Sequence, residues 1–285
     1  MEETLITGKY MSSRLIQFKE EDMIEMQKHR QHLLSIAEPK FEEVNCPLCS
    51  SNSPVHIVGA EGQGNVGQCG ECNLVYAYAR ATEPVLKALY MYYVPSNLTN
   101  SEIRKSQEIT RPAELNDDLD CIECYVERGN LLDIGASSGD FLVYGRIRGW
   151  KVEATELSDL CAEFMANFLE IPVYHGDILD IELEKGKYNA ISLRHSVEHL
   201  RHPIKELKAL HKALLDDGIL LVTTPEHAKD LELIKENHML PLHIVNYTRE
   251  TLELLFSKTG FRMTSYESQD TGNDIKNMRV TAIKG

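Results

Sequence analysis

No stretch of this chain approaches the roughly 18 uninterrupted apolar residues that a membrane span requires, although apolar residues make up 42% of its 285. The first twenty-five, MEETLITGKYMSSRLIQFKEEDMIE, are charged throughout and hold no apolar signal core, so secretion is not expected. Positive charge is scarce. Lys and Arg number 30 against 44 Asp and Glu, the formal charge is −14, and no basic run marks a local patch. Such a balance repels polyphosphate backbones and anionic lipid. Small molecules, or a substrate carried on a protein, are therefore the expected partners, with nucleic acid disfavoured and no membrane. Cysteine is too sparse for a disulfide framework, and six of the seven sit in three CxxC pairs, Cys46/Cys49, Cys69/Cys72 and Cys121/Cys124. That usage points to metal binding in the reducing cytoplasm. No Gly-Lys-Ser or Gly-Lys-Thr is present to make a P-loop.

The residues that are present divide the chain into four parts. Residues 18–37 carry Phe18, Met23, Met26, Leu33 and Leu34 among charges, the pattern of an amphipathic helix, and 1–44 reads as a helical segment. Residues 45–80 break into short pieces punctuated by Pro, Gly, Asn and Ser, a small β module. Residues 81–128 read as a helical connector, with helices at 83–93 and 101–128 and a break in the second near Pro112. From 129 to 285 strands and helices alternate, with strands expected at 130–134, 151–155, 172–174, 188–193 and 218–223. This alternation predicts a parallel sheet covered on both faces. A helix over 248–259, stopped by Gly260, then leads into two runs, 261–267 and 278–284, that suit an antiparallel hairpin.

Two motifs carry chemistry. The first is Leu132-Asp133-Ile134-Gly135-Ala136-Ser137-Ser138-Gly139, an apolar strand running into a glycine turn that lets a ligand approach the backbone. About twenty residues on, the next strand ends at Glu156, where a carboxylate can accept both hydroxyls of a ribose. The third strand leads to Gly176-Asp177-Ile178, where an acid can receive an adenine amino group. The second is Cys46-Pro47-Leu48-Cys49 with Cys69-Gly70-Glu71-Cys72. Four thiolates at this spacing can close tetrahedrally on Zn²⁺ and leave no open position, which makes the site structural.

LLDIGASSGDFL, VEATELS, HGDILD, YNAISLRHSVEHL, LLDDGILLVTTPE and HIVNYTRETLELLFSKTGF follow one another as in class I S-adenosylmethionine-dependent methyltransferases, and residues 131–260 resemble that family. CPLCSS with CGECNLVYAYAR resembles the zinc-ribbon leader of a subset of its members. The resemblance implies an α/β fold: a Rossmann-like seven-stranded sheet, mostly parallel, with a C-terminal antiparallel hairpin, preceded by a zinc-ribbon module and helices. It implies that Asp133, Gly135 and Gly139 cradle the methionine end of S-adenosylmethionine. Glu156 then holds the ribose, and Asp177 with the Ile178 backbone reads adenine. The implied reaction is O-, N- or C-methylation of a small molecule, sugar, or natural-product or polysaccharide intermediate. The alternatives are a nucleic-acid methyltransferase of the RNA 2′-O type, with a divalent metal at the histidine loop, and a non-catalytic S-adenosylmethionine-binding partner.

After the fourth strand comes Arg194-His195-Ser196-Val197-Glu198-His199, at the carboxyl edge where the methyl would sit. An imidazole there can take a proton from an attacking hydroxyl, amine or acidic carbon. His199, at the family's Glu-His position, is the first candidate base and His195 the second. His195, Glu198 and His199, with His243 returning to the same edge, also have the makings of a metal set. A plainer role, in which Glu198 and His199 form the pocket wall and cap the next helix, is preferred to metal. Tyr90, Tyr92 and Tyr93 read as helix packing, as do Cys121, Cys124 and Cys161.

Overall fold

A computed structural model describes residues 28–29, 31–36, 40–60, 64–91, 93, 101–226, 242–269 and 276–285, those of 101–111 by backbone alone. Most of the helix expected over 18–37 lies outside the described residues, but 28–29 and 31–36 are helical. Next come β1 (Phe41–Glu43), β2 (Pro54–Ala60), β3 (Gly64–Cys69) and β4 (Val75–Ala81). They pair antiparallel in the order β1-β4-β3-β2, so the first strand falls inside the stretch read as helical. Helix α1 (Glu83–Met91) and helix α2 (Ser101–Glu123) follow.

The break expected near Pro112 does not occur, and α2 runs through it. A proline inside a helix removes one hydrogen bond and crowds the preceding turn. Beyond it Leu115, Leu119 and Ile122 recur on one face and are fully buried, which holds the helix to the core.

The remaining elements alternate as the apolar runs predict: β5 (Asn130–Ile134), α3 (Asp140–Ile147), β6 (Lys151–Glu156), α4 (Asp159–Phe168), β7 (Val173–His175), β8 (Tyr188–Arg194), α5 (Pro203–Ala213) and β9 (Leu214–Glu226). After them come β10 (Val245–Asn246), α6 (Arg249–Thr259), β11 (Phe261–Gln269) and β12 (Lys276–Lys284). Thr248 caps α6 by accepting from the Thr251 N–H, and Gly260 ends it at φ 86, a backbone conformation that glycine adopts without strain. The large sheet has the order β11-β12-β9-β8-β5-β6-β7. Its five-strand body is parallel, and β12 runs antiparallel to both β9 and β11. Chain direction across the sheet reverses between β5 and β8, the switch point where open α/β sheets bind ligands. This is the Rossmann-like α/β architecture that the sequence implies. Among the described residues no helix is long and apolar enough to cross a membrane.

The small sheet does not stand apart. Cys46, Leu48, Cys69, Leu74 and Tyr76 belong to the same buried cluster as Leu193, Val197, Ile244 and Phe256. Strand β10 also lies along the edge of β4, pairing Val245 with Tyr76 and Asn246 with Val75. The five-stranded sheet thus includes residues from well inside the region expected to fold as a separate domain. Arg80 and Arg201 close the join. Both reach Glu42, at 3.0 and 2.6 Å, and each donates to a carbonyl across it, Arg80 to Arg201 and Arg201 to Ala81.

Asp118 ties α2 to the large sheet. Its buried carboxylate takes Arg194 Nε at 2.7 Å and Arg279 Nη1 at 3.2 Å. Removing one member of a buried set strands the opposite charge. Asp118→Ala is therefore expected to lower the unfolding free energy in urea by about 3–5 kcal/mol, as a lower midpoint at unchanged slope. Breaking the exposed Glu83–Lys87 pair of α1 should cost no more than about 0.5 kcal/mol. Equal losses from the two would contradict this placement of Asp118.

Candidate functional site

The tips of β5 and β6 build a cradle from backbone N–H groups and one carboxylate. Gly135 (φ 69), Ser137 (φ 55) and Gly139 (φ 75) all turn left-handed. Gly135 and Ala136 donate to the Thr155 carbonyl, fixing the turn against the neighbouring strand. Ser137 N–H then donates to Glu156 Oε2 at 2.7 Å, while Leu157 and Ser158 N–H groups both reach Oε1 at 2.8 Å. Burial raises the Glu156 pKa above the usual carboxylate range, and these three N–H groups partly oppose it. A side chain at Gly139 would put a Cβ 2.9 Å from Met165 Cγ. Asp133, at the end of β5, is buried and accepts from Ser192 Oγ at 2.6 Å.

Asp177 and Ile178 follow β7, the next strand outward. The Gly176 N–H donates to the Glu156 carbonyl at 3.0 Å, so this turn hangs directly on the tip of β6. Asp177 Oδ1 accepts from Leu179 N–H, and Ile178 is buried. The six residues expected to hold the cofactor therefore lie along three successive strand tips at one edge.

Across β5 lies the histidine edge. His195 (φ 51) opens it and a 3₁₀ turn, Val197–His199, follows. Ser196 between them donates its hydroxyl to the Ile134 carbonyl, and a Cβ on Gly135 would come 2.9 Å from that hydroxyl. Cradle and histidine edge thus pack against each other without intervening side chains at that point. Glu198 is 2% exposed. Its Oε2 accepts from Thr224 Oγ1 at 2.9 Å, whereas its Oε1 has no hydrogen-bond partner among the described residues. Burial opposes the charge on Glu198, but His195, His199 and His243 outweigh it and hold the carboxyl below its ordinary range. His199 Nδ1 lies 3.0 Å from the Leu242 carbonyl and 2.9 Å from the Tyr90 hydroxyl. The His199 and His243 rings meet edge to face at 4.6 Å.

The cysteine pairs converge as their spacing requires. Cys46 and Cys72 Sγ atoms are 3.5 Å apart, as are those of Cys49 and Cys69, and all four lie within 4.8 Å of one another. A tetrahedron with Zn–S bonds of about 2.3 Å has edges of roughly 3.8 Å, so the group fits zinc. The two knuckles are alike. Ser50 and Asn73, each four residues after the first cysteine, turn left-handed and donate back to the carbonyls of Cys46 and Cys69. Burial pushes the Cys46 thiol up to about 11. Burial also opposes ionisation of Cys69, but the Cys72 and Glu71 N–H groups outweigh it and bring that thiol down to about 7.

A family model described as a methyltransferase domain matches residues 107–266, more than half of the chain. The chain belongs to the methyltransferase-domain family. Among solved structures it resembles a geranyl diphosphate methyltransferase in complex with geranyl diphosphate and sinefungin, at 15% identity, covering 61% of this chain and 78% of that one, TM-score 0.51. The same enzyme in complex with S-adenosylmethionine aligns at 17% identity over 61% and 85%, TM-score 0.50. The YcgJ protein of Bacillus subtilis aligns at 14% over 60% and 97%, TM-score 0.51. At these identities the likeness is one of fold. No curated protein matches the sequence.

Several contacts in this methyltransferase were not visible in its sequence. Tyr90, read as helix packing, presents its hydroxyl to His199 from α1. Ser192 and Thr224, which hold Asp133 and Glu198, lie in strands whose only sequence signal is apolar patterning. Cys161 is core, as expected, and burial lifts its thiol to about 12. Cys121 is half-buried and Cys124 exposed near the end of α2. Tyr92, His227 and His238 lie outside the described residues.

Burial raises the Asp133 pKa to about 7, and the Ser192 hydroxyl opposes the rise. The folded pKa is thus above the unfolded one of about 3.9. Stability from this group is complete below about pH 4 and is lost as pH rises through about 7. Asp133→Asn does not titrate. Its unfolding free energy in urea relative to wild type should therefore climb between pH 4 and 7 and then level, by an amount on the order of 2–4 kcal/mol. A pH-independent difference would show that Asp133 ionises freely in the folded chain.

Proposed function

We propose that the chain is an S-adenosylmethionine-dependent methyltransferase that methylates a small-molecule or carrier-linked acceptor. The observation that carries this reading is the cradle itself. A buried carboxylate, Glu156, is fastened by the Ser137 N–H to the glycine turn, one strand away from a histidine-bearing edge. That arrangement suits a nucleoside with a charged tail: Glu156 for the ribose hydroxyls, Asp177 and the Ile178 N–H for adenine, and Asp133 with Gly135 and Gly139 for the methionine end. The fold neighbour solved with S-adenosylmethionine supports the choice of cofactor.

When bound, the cofactor supplies an electrophilic methyl group on a sulfonium. The chain's own work is mostly alignment, which alone can supply much of the acceleration of a displacement. At the histidine edge an imidazole removes the acceptor's proton, with His199 and His195 in this role. Zinc in the Cys46, Cys49, Cys69 and Cys72 site is structural, since four protein thiolates leave no place for substrate. Such thiols suit the reducing cytoplasm, where we place the enzyme. The net charge of −14 favours small acceptors over nucleic acid.

Glu156→Ala removes the charged partner of the ribose hydroxyls, worth about 1.5–3 kcal/mol. Calorimetry should show S-adenosylhomocysteine binding ten- to a hundred-fold weaker, and unchanged affinity would place the pocket elsewhere. Purified protein should also contain about one zinc per chain in its cysteine site; metal-free protein with four titratable thiols and native stability would exclude it. His199→Ala should lower turnover by about 10²–10⁴ while S-adenosylhomocysteine affinity stays near wild type. Full turnover in both His199→Ala and His195→Ala would leave alignment as the whole mechanism.

A further inference from the structure

We propose that Glu198, His199 and His243 bind a divalent transition-metal ion, with His195 beside it. The three side chains come from two separate segments and present ligand atoms that all lie within 4.8 Å of one another. Their meeting is built into the backbone. The Ile244 N–H donates to the Glu198 carbonyl at 3.0 Å, which seats His243 against the 3₁₀ turn that carries Glu198 and His199.

The carboxylate gives an independent reason. Glu198 is almost wholly buried, one oxygen is satisfied by Thr224, and Oε1 has no hydrogen-bond partner among the described residues. Leaving a buried charged acceptor unsatisfied is costly. Among the described residues the ion-pair partner of Oε1 is His195 Nδ1, which stands off at 3.7 Å, beyond a hydrogen bond. A cation held between Oε1 and the two imidazoles answers the buried charge, and a packed wall does not. The sequence favours the plain wall, and this one atom is the reason for proposing the metal instead.

His199 is oriented for the task. Its Nδ1 faces the Leu242 carbonyl, which can only accept, so Nδ1 carries the hydrogen and Nε2 is left with the lone pair. A backbone carbonyl fixing the ring from behind is a common support of metal-bound histidine. The Tyr90 hydroxyl lies on the same nitrogen and adds to that support.

Ligand chemistry narrows the ion. Two imidazoles and one carboxylate favour zinc, iron, cobalt, nickel or manganese over magnesium and calcium, which prefer all-oxygen sets. Three protein ligands also leave positions open, unlike the closed cysteine site. The use of this ion rests on the proposed methyl-transfer reading, but its binding does not. An acceptor hydroxyl placed on the ion becomes more acidic. Its proton passes to His195, and the oxygen lone pair forms the new O–C bond as the C–S bond breaks and S-adenosylhomocysteine leaves with that electron pair. His199 then acts as a ligand and His195 remains as the proton acceptor.

The test counts metal on the full chain with zinc left in the cysteine site. Cobalt(II) titration of wild type should show one further equivalent, with ligand-field absorption but no sulfur-to-metal charge transfer. Glu198→Gln and His243→Ala, made separately, should each weaken that equivalent at least 100-fold while the cysteine-bound zinc is retained. Absence of a second equivalent in wild type at millimolar cobalt(II) overturns the proposal whether or not either variant folds. So does undiminished uptake by both variants. S-adenosylhomocysteine binding is measured separately on wild type: its absence with the second ion present would overturn the cofactor reading and leave the metal site standing.

Discussion

The edge of β4 is the constraint from which the rest of the molecule follows. An exposed strand edge leaves N–H and C=O groups without partners, and burying one requires that they be paired. Here β1 takes one end of that edge and the segment leading into β10 takes the other, with the Ala77 N–H donating to the Ile244 carbonyl at 2.9 Å. The same segment then turns its Ile244 N–H to Glu198. A single stretch of backbone thereby joins the cysteine module, the large sheet and the histidine edge. Tyr76 and Tyr247, both fully buried, fill the space around it.

The buried acids show how differently one kind of group behaves in this setting. Asp118 has two guanidiniums against it and is part of the scaffold. Glu206 is also buried, but its nearest strong effect besides burial is the like charge of Asp177, and its pKa rises to about 8. It accepts the His202 N–H and can sit neutral at the start of α5. Glu198 is as buried as either, yet three imidazoles hold it in the charged form. A neutral acid is a tolerable core group, and a paired one is a scaffold element. A charged acid with one oxygen outside any hydrogen bond among the described residues is neither, and this separates Glu198 from the others.

What could be read from sequence was whatever repeats locally. The glycine turn, the acid at the end of β6 and the CxxC pairs each announce themselves within a few residues, and all lie where their spacing predicts. The Thr248 start and Gly260 stop of α6 are equally local. What escaped was long-range or too short to show a period. Two residues, Val245 and Asn246, make no alternation, so nothing in LHIVNYT marked them as a partner of β4. Strand β9 begins at Leu214 and not 218 because Asp216 and Asp217, which resemble a turn, sit on its exposed start. Pro112 signalled a break that burial of the following turn overrode. Tyr90 lay in a run of tyrosines whose contact with His199 depends on how α1 is carried over the sheet edge.

These connections divide the site into two mechanically distinct halves. Glu156 is held entirely by N–H groups from Ser137, Leu157 and Ser158, all local to the tips of β5 and β6. This half of the site therefore rests chiefly on the large sheet. Glu198, His199 and His243 instead depend on the segment that β4 holds, and β4 begins three residues after Cys72. The four thiols, by fixing both knuckles, set the position of that strand. An ion in the cysteine site would thus bear on the histidine edge more than on the glycine cradle. A ribbon of this kind is more than a solubilising leader. Its outer strand forms the backing against which the histidine edge is built, which is why the two share one core instead of meeting across an interface.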